Sequence, residues 1–289
     1  MSTVPDEPPE RVGAGGMTGP DGQPGLDHVF DAAGPAVDAL LRAECAPDES
    51  GRTAGLRRVL VPRAWSETHR GPDPWYLQAE CLYQGTPRGT LRIAVKCRQL
   101  ARGSAQRAHR STGFIEVEQL RTGDSAYVTG GALTPREITG DLDFGALAGK
   151  PHTAHLEFPG EESTKPLTDR GEDRLVRECW PVDVTMHLSI TAVDTGLWRL
   201  RFILENTTMD VSPTLPRTTV LYHSLVAVYA AIGVGHGRFL SVRRPPDRAR
   251  DAAGQCRQHA TRPVLADGSD ASRIVLCGPE NLDDDPIPS

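Results

Sequence analysis

Residues 183–206 constrain this chain more than any other stretch. Val184, Met186, Leu188 and Ile190 alternate with Thr185, His187, Ser189 and Thr191; Asp194-Thr195-Gly196 intervenes, and Trp198, Leu200, Phe202 and Leu204 resume the alternation. A period of two gives each run one apolar face, and a short polar turn between two such runs predicts an antiparallel hairpin with a buried side. Trp198 and Phe202 occupy the apolar phase and are expected to be buried. A similar unit is expected upstream, with Leu77, Ala79, Cys81 and Tyr83 on one strand, Gly85-Thr86-Pro87 at the turn, and Leu91, Ile93, Val95 and Cys97 on the return.

Further strand-like runs fall at 56–62, 114–120 and 153–158, with short strands at 263–265 and 274–277. The glycines of Gly235-His236-Gly237 suggest a third hairpin, between 229–234 and 238–242. Helices are expected at 218–228, at 247–258, and from Asp27 on, where Val29, Phe30, Ala33, Val37, Leu40 and Leu41 share a face. The fold class read from this pattern is mainly β (α+β), with antiparallel β-sandwich-like sheets and a few short helices. Residues 1–25 are rich in Pro, Gly and acid and poor in apolar side chains, which predicts a disordered tail. The rest divides into 26–125, an N-terminal helix and first β subdomain, and 126–289, a second β subdomain with C-terminal helices, meeting near 125–150.

Charge and composition exclude several classes. The net charge of −6 gives no general attraction to nucleic acid or anionic lipid. No apolar run approaches the ~20 residues that a membrane helix needs. The first residues carry Asp6, Glu7 and Glu10 rather than a basic start and an apolar stretch, so a cytoplasmic location is expected. Six cysteines are spread without close pairing; Cys81 and Cys97 alone fall on facing apolar phases, and the expectation is buried thiols.

Residues of chemical interest are weighed on geometry. His152 and His155 lie three apart at a strand entrance, where they point to opposite faces and cannot share a metal. His187 lies near Asp183, a carboxylate that could orient an imidazole. His223-Ser224 pairs base and nucleophile by type only, because helix neighbours diverge by about 100° and no nucleophile elbow surrounds them. Gly233–Gly237 precedes a strand and not a helix, which removes the basis for a phosphate cradle. Asp141 and Asp143 form a D-x-D pair and Glu116 and Glu118 share a strand face; both pairs read as surface charge. Asn206-Thr207-Thr208 is a sequon without a secretion signal. No cofactor and no metal site is expected.

All but three of the 32 basic residues are arginine. Two groups stand out: Arg98, Arg102, Arg107 and Arg110 with His109, and Arg238, Arg243, Arg244, Arg248 and Arg250. Guanidinium groups bind carboxylates bidentately, and without an RNA-binding aromatic motif they read as solvated loops or a contact surface for an acidic protein rather than for nucleic acid. Arg243, Arg244 and Arg248 are the partner-binding candidates, because Pro245-Pro246 restricts the loop and lowers its ordering cost.

The stretches 127–147, 196–207 and 218–256, with Arg262-Pro263-Val264-Leu265, resemble a β-rich family from actinobacteria and some other soil bacteria. The family's return strand ends in E-N-T, as Glu205-Asn206-Thr207 does; S-L follows, as in Ser224-Leu225, then G-x-F-[LV]-S, as in Gly237-Arg238-Phe239-Leu240-Ser241, then P-P, a cysteine and P-V-L. Its members are encoded among accessory genes of nickel-iron hydrogenases. They continue past P-V-L into a long acidic segment resembling an interaction region, where this chain has residues 274–289. The resemblance implies a non-catalytic accessory or scaffold protein whose partner is a hydrogenase subunit or maturation protein. The second reading is a small-molecule-binding or metal-dependent β-sandwich enzyme, with a pocket lined by His187, Asp183 and arginines.

Overall fold

The computed structural model describes residues 10–13, 37, 56, 58–111, 113–123, 125–168, 172–266 and 269–279. In chain order the strands are β1 (Glu10–Gly13), β2 (Val59–Leu60), β3 (Tyr76–Gln84), β4 (Thr90–His109), β5 (Gly113–Val117), β6 (Gln119–Thr122), β7 (Ser125–Val128), β8 (Gly130–Asp143) and β9 (His152–Phe158). There follow β10 (Glu161–Pro166), β11 (Asp173–Cys179), β12 (Val182–Asp194), β13 (Leu197–Asn206), β14 (Leu225–Val234), β15 (Arg238–Leu240), β16 (Arg262–Leu265), β17 (Ala271–Ser272) and β18 (Ile274–Gly278). The helices α1 (Arg63–His69), α2 (Arg217–Val220) and α3 (Arg250–Gly254) are short.

The chain is mostly β, and its strands form a sandwich. One sheet runs β1-β8-β4-β14-β18-β16, with β2, β5, β10 and β11 attached; the other runs β17-β15-β3-β13-β12-β9. Among the described residues every strand pairing is antiparallel except β1 with β8. The main core lies between the sheets: Leu91, Ile93, Val95 and Cys97 of β4 and Ile232 of β14 face Leu77, Cys81 and Tyr83 of β3, Met186 and Leu188 of β12 and Phe202 of β13. On the outer face of the first sheet, Trp65 of α1, Val220 and Leu221 cover Tyr229, Leu276 and Leu100. On the outer face of the second, Ala249, Ala252 and Ala253 cover Leu82, Leu197 and Leu240.

The hairpin 183–206 forms as its alternation requires. β12 and β13 pair with Leu188 opposite Phe202 and Ile190 opposite Leu200, across a two-residue loop that ends in Gly196 at φ 66°. Trp198 differs from expectation: a register shift between Ala192 and Asp194 precedes it, and it is half-buried at the edge of the core.

The two other expected hairpins do not form. β3 pairs with β13 and β15, whereas β4 pairs with β8 and β14, so the segment 85–89 carries the chain from one sheet to the other. Likewise β14 and β15 lie in different sheets, joined by 235–237. Loops of this length reach the about 10 Å between packed sheets. Tyr83 ties the two crossings together, its hydroxyl 3.1 Å from the carbonyls of both Thr86 and His236. Gly237, at φ 67°, has no room for a side chain, because a Cβ would stand 2.3 Å from that hydroxyl. Cys81 accordingly does not face Cys97 across a hairpin; its thiol meets Cys277 of β18. Hydrogen bonding to that thiol, and then burial, raise Cys81 well above the ordinary thiol range.

Several boundaries also differ. The helix expected over 218–228 ends at His223, and Leu225–Val228 already belong to β14, buried on both faces. The helix expected over 247–258 is confined to a 3-10 turn at Asp247–Ala249 and α3. Within the segment read as a tail, residues 10–13 run parallel to 136–139 of β8; the rest of that reading, and of the helix from Asp27 apart from a buried Val37, lies outside the described residues. Strands of 26–125 and of 126–289 pair with one another, β3 with β13 and β4 with β8, so these segments share one core instead of meeting as separate bodies.

β4 is twenty residues long, and its inward-facing core side chains end at Cys97. Beyond Gly103 it leaves β8 and runs between β5 and β11, with β10 added to β11 and the β6–β7 hairpin alongside. This β arm continues the first sheet past the sandwich. Its other exposed features are β10, all six residues exposed, and the side chains of Ile115 and Val128. Arg174 lies over the Phe114 ring at 3.7 Å and holds β11 to β5 across β4.

Candidate functional site

The four histidines of interest do not converge. On β9, His152 turns inward while His155 turns outward, as the strand period demands. His155 Nδ1 meets Thr185 Oγ1 at 3.1 Å, and His187 Nδ1 meets Thr153 Oγ1 at 3.0 Å, so each imidazole is held by a threonine across the β9–β12 ladder. Asp183 does not orient His187, since four strand residues span about 13 Å. The carboxylate near His187 is Glu205, at 3.8 Å from Nε2. His223 lies elsewhere, beside Trp180 and Tyr222. Among the described residues no group of three or more His, Cys, Asp or Glu side chains is placed to hold a metal ion.

Ser224 is buried and donates to the Val220 carbonyl at 2.7 Å, a bond that closes the turn and leaves no role as a nucleophile. Burial holds the His223 imidazole below the ordinary histidine range. The unfolded chain therefore takes up a proton at His223 at higher pH than the folded chain. This site's contribution is intact above about pH 6.5 and is lost as pH falls below it. His223→Gln should accordingly lose less melting temperature than the natural protein between pH 7 and pH 5; equal losses in paired thermal melts would contradict this assignment.

The carboxylate pairs are structural. Asp141 accepts from Nε and Nη2 of Arg92, at 2.7 and 2.8 Å, across β8 and β4. Asp143 accepts the Gly145 amide at 2.8 Å and shapes the turn after β8. Glu116 accepts from Ser104 at 2.6 Å and from Arg102 at 3.2 Å, on the arm. Of the first arginine group, Arg98, Arg102 and Arg107 lie on β4, as does His109, and Arg110 is in the turn after it; Arg107 bonds Asp173.

Of the second arginine group, Arg238 opens β15 and Arg250 opens α3. Arg243, Arg244 and Arg248 are exposed on the connection between β15 and α3. That connection is held at both ends: the Arg244 amide donates to Ser241 Oγ at 3.0 Å, and the Ala249 amide donates to the Pro246 carbonyl at 2.8 Å above its buried side chain. Asp270 lies 3.8 Å from Arg244, and Asp247 bonds Arg250, so the loop is ordered and cationic without being strongly charged.

Sequence reasoning missed a cleft at the end of β3 opposite Tyr83. It has a volume of ≈ 480 Å³, with Val59, Leu60, Leu77 and Val228 as apolar walls and Arg58, Asp73 and His259 as polar groups. Asp73 is buried and takes both Nε and Nη2 of Arg217, at 2.6 and 3.1 Å. His259 stacks on Tyr76 with ring centroids 4.2 Å apart. Backbone strain gathers around it. Arg58 at φ 57° and Ala260 at φ 54° line the cleft, and Ala227 at φ 50° precedes Val228 at the β14 bulge. Left-handed non-glycine residues cost on the order of 1–3 kcal/mol each and concentrate at functional positions. Nothing in the alternation or composition signals these three, because left-handed alanine and arginine have no sequence mark.

Among the described residues no helix is long and apolar enough to cross a membrane. No protein-family model matches the chain, and no curated protein matches it at a significant level.

Proposed function

We propose that this protein is a non-catalytic accessory or scaffold protein of the cytoplasm that binds a protein partner. The observation that carries this reading is the β arm. It carries the last six residues of the twenty-residue β4 beyond the β4–β8 ladder, and two of the three exposed large apolar side chains among the described residues, Ile115 and Val128, sit on it. Apolar side chains on a projecting, hydrogen-bonded scaffold are a low-entropy contact surface. The charged and proline-ended β10 edge, with Glu161, Glu162, Lys165 and Pro166, resists addition of another strand, so contact runs through side chains rather than through β-addition. The ordered loop bearing Arg243, Arg244 and Arg248 supplies a second contact, with guanidinium groups for partner carboxylates.

The partner we propose is a subunit or maturation protein of a nickel-iron hydrogenase, on the strength of the family resemblance. Affinity purification from the native host, with the hydrogenase expressed, tests this. Recovery of such a partner is expected, and recovery of the protein alone counts against the reading. Replacing Arg243 and Arg244 together by Glu should weaken that association while leaving the melting temperature nearly unchanged, since exposed ion pairs contribute only about 0–1 kcal/mol. A large fall in melting temperature with association intact would assign these arginines to the fold.

A further inference from the structure

We propose that the open edge of β9 pairs with the same edge of a second copy of this chain, joining two sandwiches into a symmetric dimer. β9 ends the second sheet: among the described residues it pairs with β12 alone, in unbroken register over its 7 residues. Its other side therefore presents a row of main-chain N–H and C=O groups, the template on which another strand forms.

β9 also lacks the guards that the other ends of the two sheets carry. β1 is short and bears the charged neighbours Glu10 and Arg11, β16 contains Pro263, and β17 has only 2 residues. His152–Phe158 contains no proline, no lysine and no bulge, the devices that keep an edge from pairing. The core is open along it as well. Ala154 and Leu156 turn inward onto the main cluster yet are only half-buried, whereas Met186 and Val184, opposite them on β12, are fully buried. A further strand beyond β9 would cover both.

Symmetry makes the second copy the occupant that fits and sets the register. In an antiparallel pair, facing residues lie on one face of the sheet, so a two-fold axis must fall between two copies of a single residue. Only an axis at His155 pairs the whole strand, leaving Pro151 and Pro159, which cannot donate, just outside it. That register sets Leu156 against Ala154 on the inner face and Glu157 against Thr153 on the outer face, twice each. Every carboxylate thus meets a hydroxyl and not its own copy. Exposed His155 alone faces itself. The contact lies on the second sheet and the arm extends the first, so this inference stands apart from partner binding.

The test is sedimentation velocity of the full chain together with site-directed cross-linking. One added strand pair makes a small interface, so the mass should rise toward twice the monomer's as concentration climbs from about 1 to about 500 μM. His155→Cys, oxidised with diamide, should give a disulfide-linked dimer, because facing Cα atoms stand about 4.5–5.5 Å apart, within disulfide reach. Glu157→Cys should add no link beyond the natural protein's own, since its two copies are offset by four residues, about 13 Å, along the ladder. His155→Lys, which sets two ammonium groups face to face, should weaken dimerisation about fivefold. A natural protein that stays monomeric throughout, Glu157→Cys linking as readily as His155→Cys, or undiminished dimerisation of His155→Lys would each overturn the proposal.

Discussion

Phe202→Ala will lower the free energy of unfolding by about 3–5 kcal/mol, the cost of removing a large side chain from a packed core. Phe202 is fully buried at the centre of the second sheet, with Leu188 opposite on β12 and Ala79 opposite on β3. Its loss opens a cavity that neighbours on two strands cannot fill, because the ladders fix their backbones. Trp198→Ala is the internal control. Trp198 shares the strand phase but stands half-buried after the register shift, so its cost in the same denaturant titrations should be less than half that of Phe202→Ala. A cost for Trp198 equal to or above that for Phe202 would place the shift elsewhere.

Asn206→Ala should destabilise by a comparable amount for a different reason. Asn206 is fully buried; its amide nitrogen donates to the carbonyls of Leu60 and His223, both at 3.0 Å. Its oxygen accepts from the amide and hydroxyl of Thr208, at 3.2 and 2.7 Å. One side chain thus joins the end of β13 to β2 and to the turn before β14. Each buried group left unpaired costs about 1–3 kcal/mol, so the total is on the order of 4 kcal/mol. Asn206→Asp should be at least as damaging, since a carboxylate oxygen would then face two carbonyls. A mild Asn206→Asp, by chemical denaturation, would contradict this bonding scheme.

Asn206 also shows how far the sequence could be read. As a sequon it carried no meaning, and within Glu205-Asn206-Thr207 it was a structural motif of unstated purpose; the purpose is a polar clamp in the core. Strand phase was legible wherever one face is buried: β3, β4, β12 and β13 have the inward residues that their alternation dictates. Strand partners were not legible. The period of two says which face is buried and not which neighbour lies alongside, so the β3–β4 and β14–β15 connections read as hairpins although both cross between sheets. Only loop length separated them from the two-residue turn at 195–196. β14 was partly mistaken for helix because both of its faces are buried, which erases alternation. Polar strands such as β10 and the glycine-rich start of β8 gave no apolar signal at all.

The candidate site was legible to a lesser degree. The divergence of His152 and His155 follows from strand geometry alone, and the exposed loop of Arg243, Arg244 and Arg248 follows from Pro245-Pro246. The cleft was invisible because its residues come from five separate segments, 58–60, 72–77, 228, 259–260 and 279, brought together only by the fold.

Cross-linking mass spectrometry of the affinity-purified complex tests the partner-binding account most directly, because lysine is so scarce here. Lys165 lies on β10 of the arm, whereas Lys150 follows the opposite end of the fourteen-residue β8. One lysine is thus on the arm and the other off it, so links to each report separate parts of the surface. The account predicts that partner peptides attach to Lys165 and that Lys150 stays unlinked to them. Links from Lys150 with none from Lys165 would move the contact off the arm and contradict it.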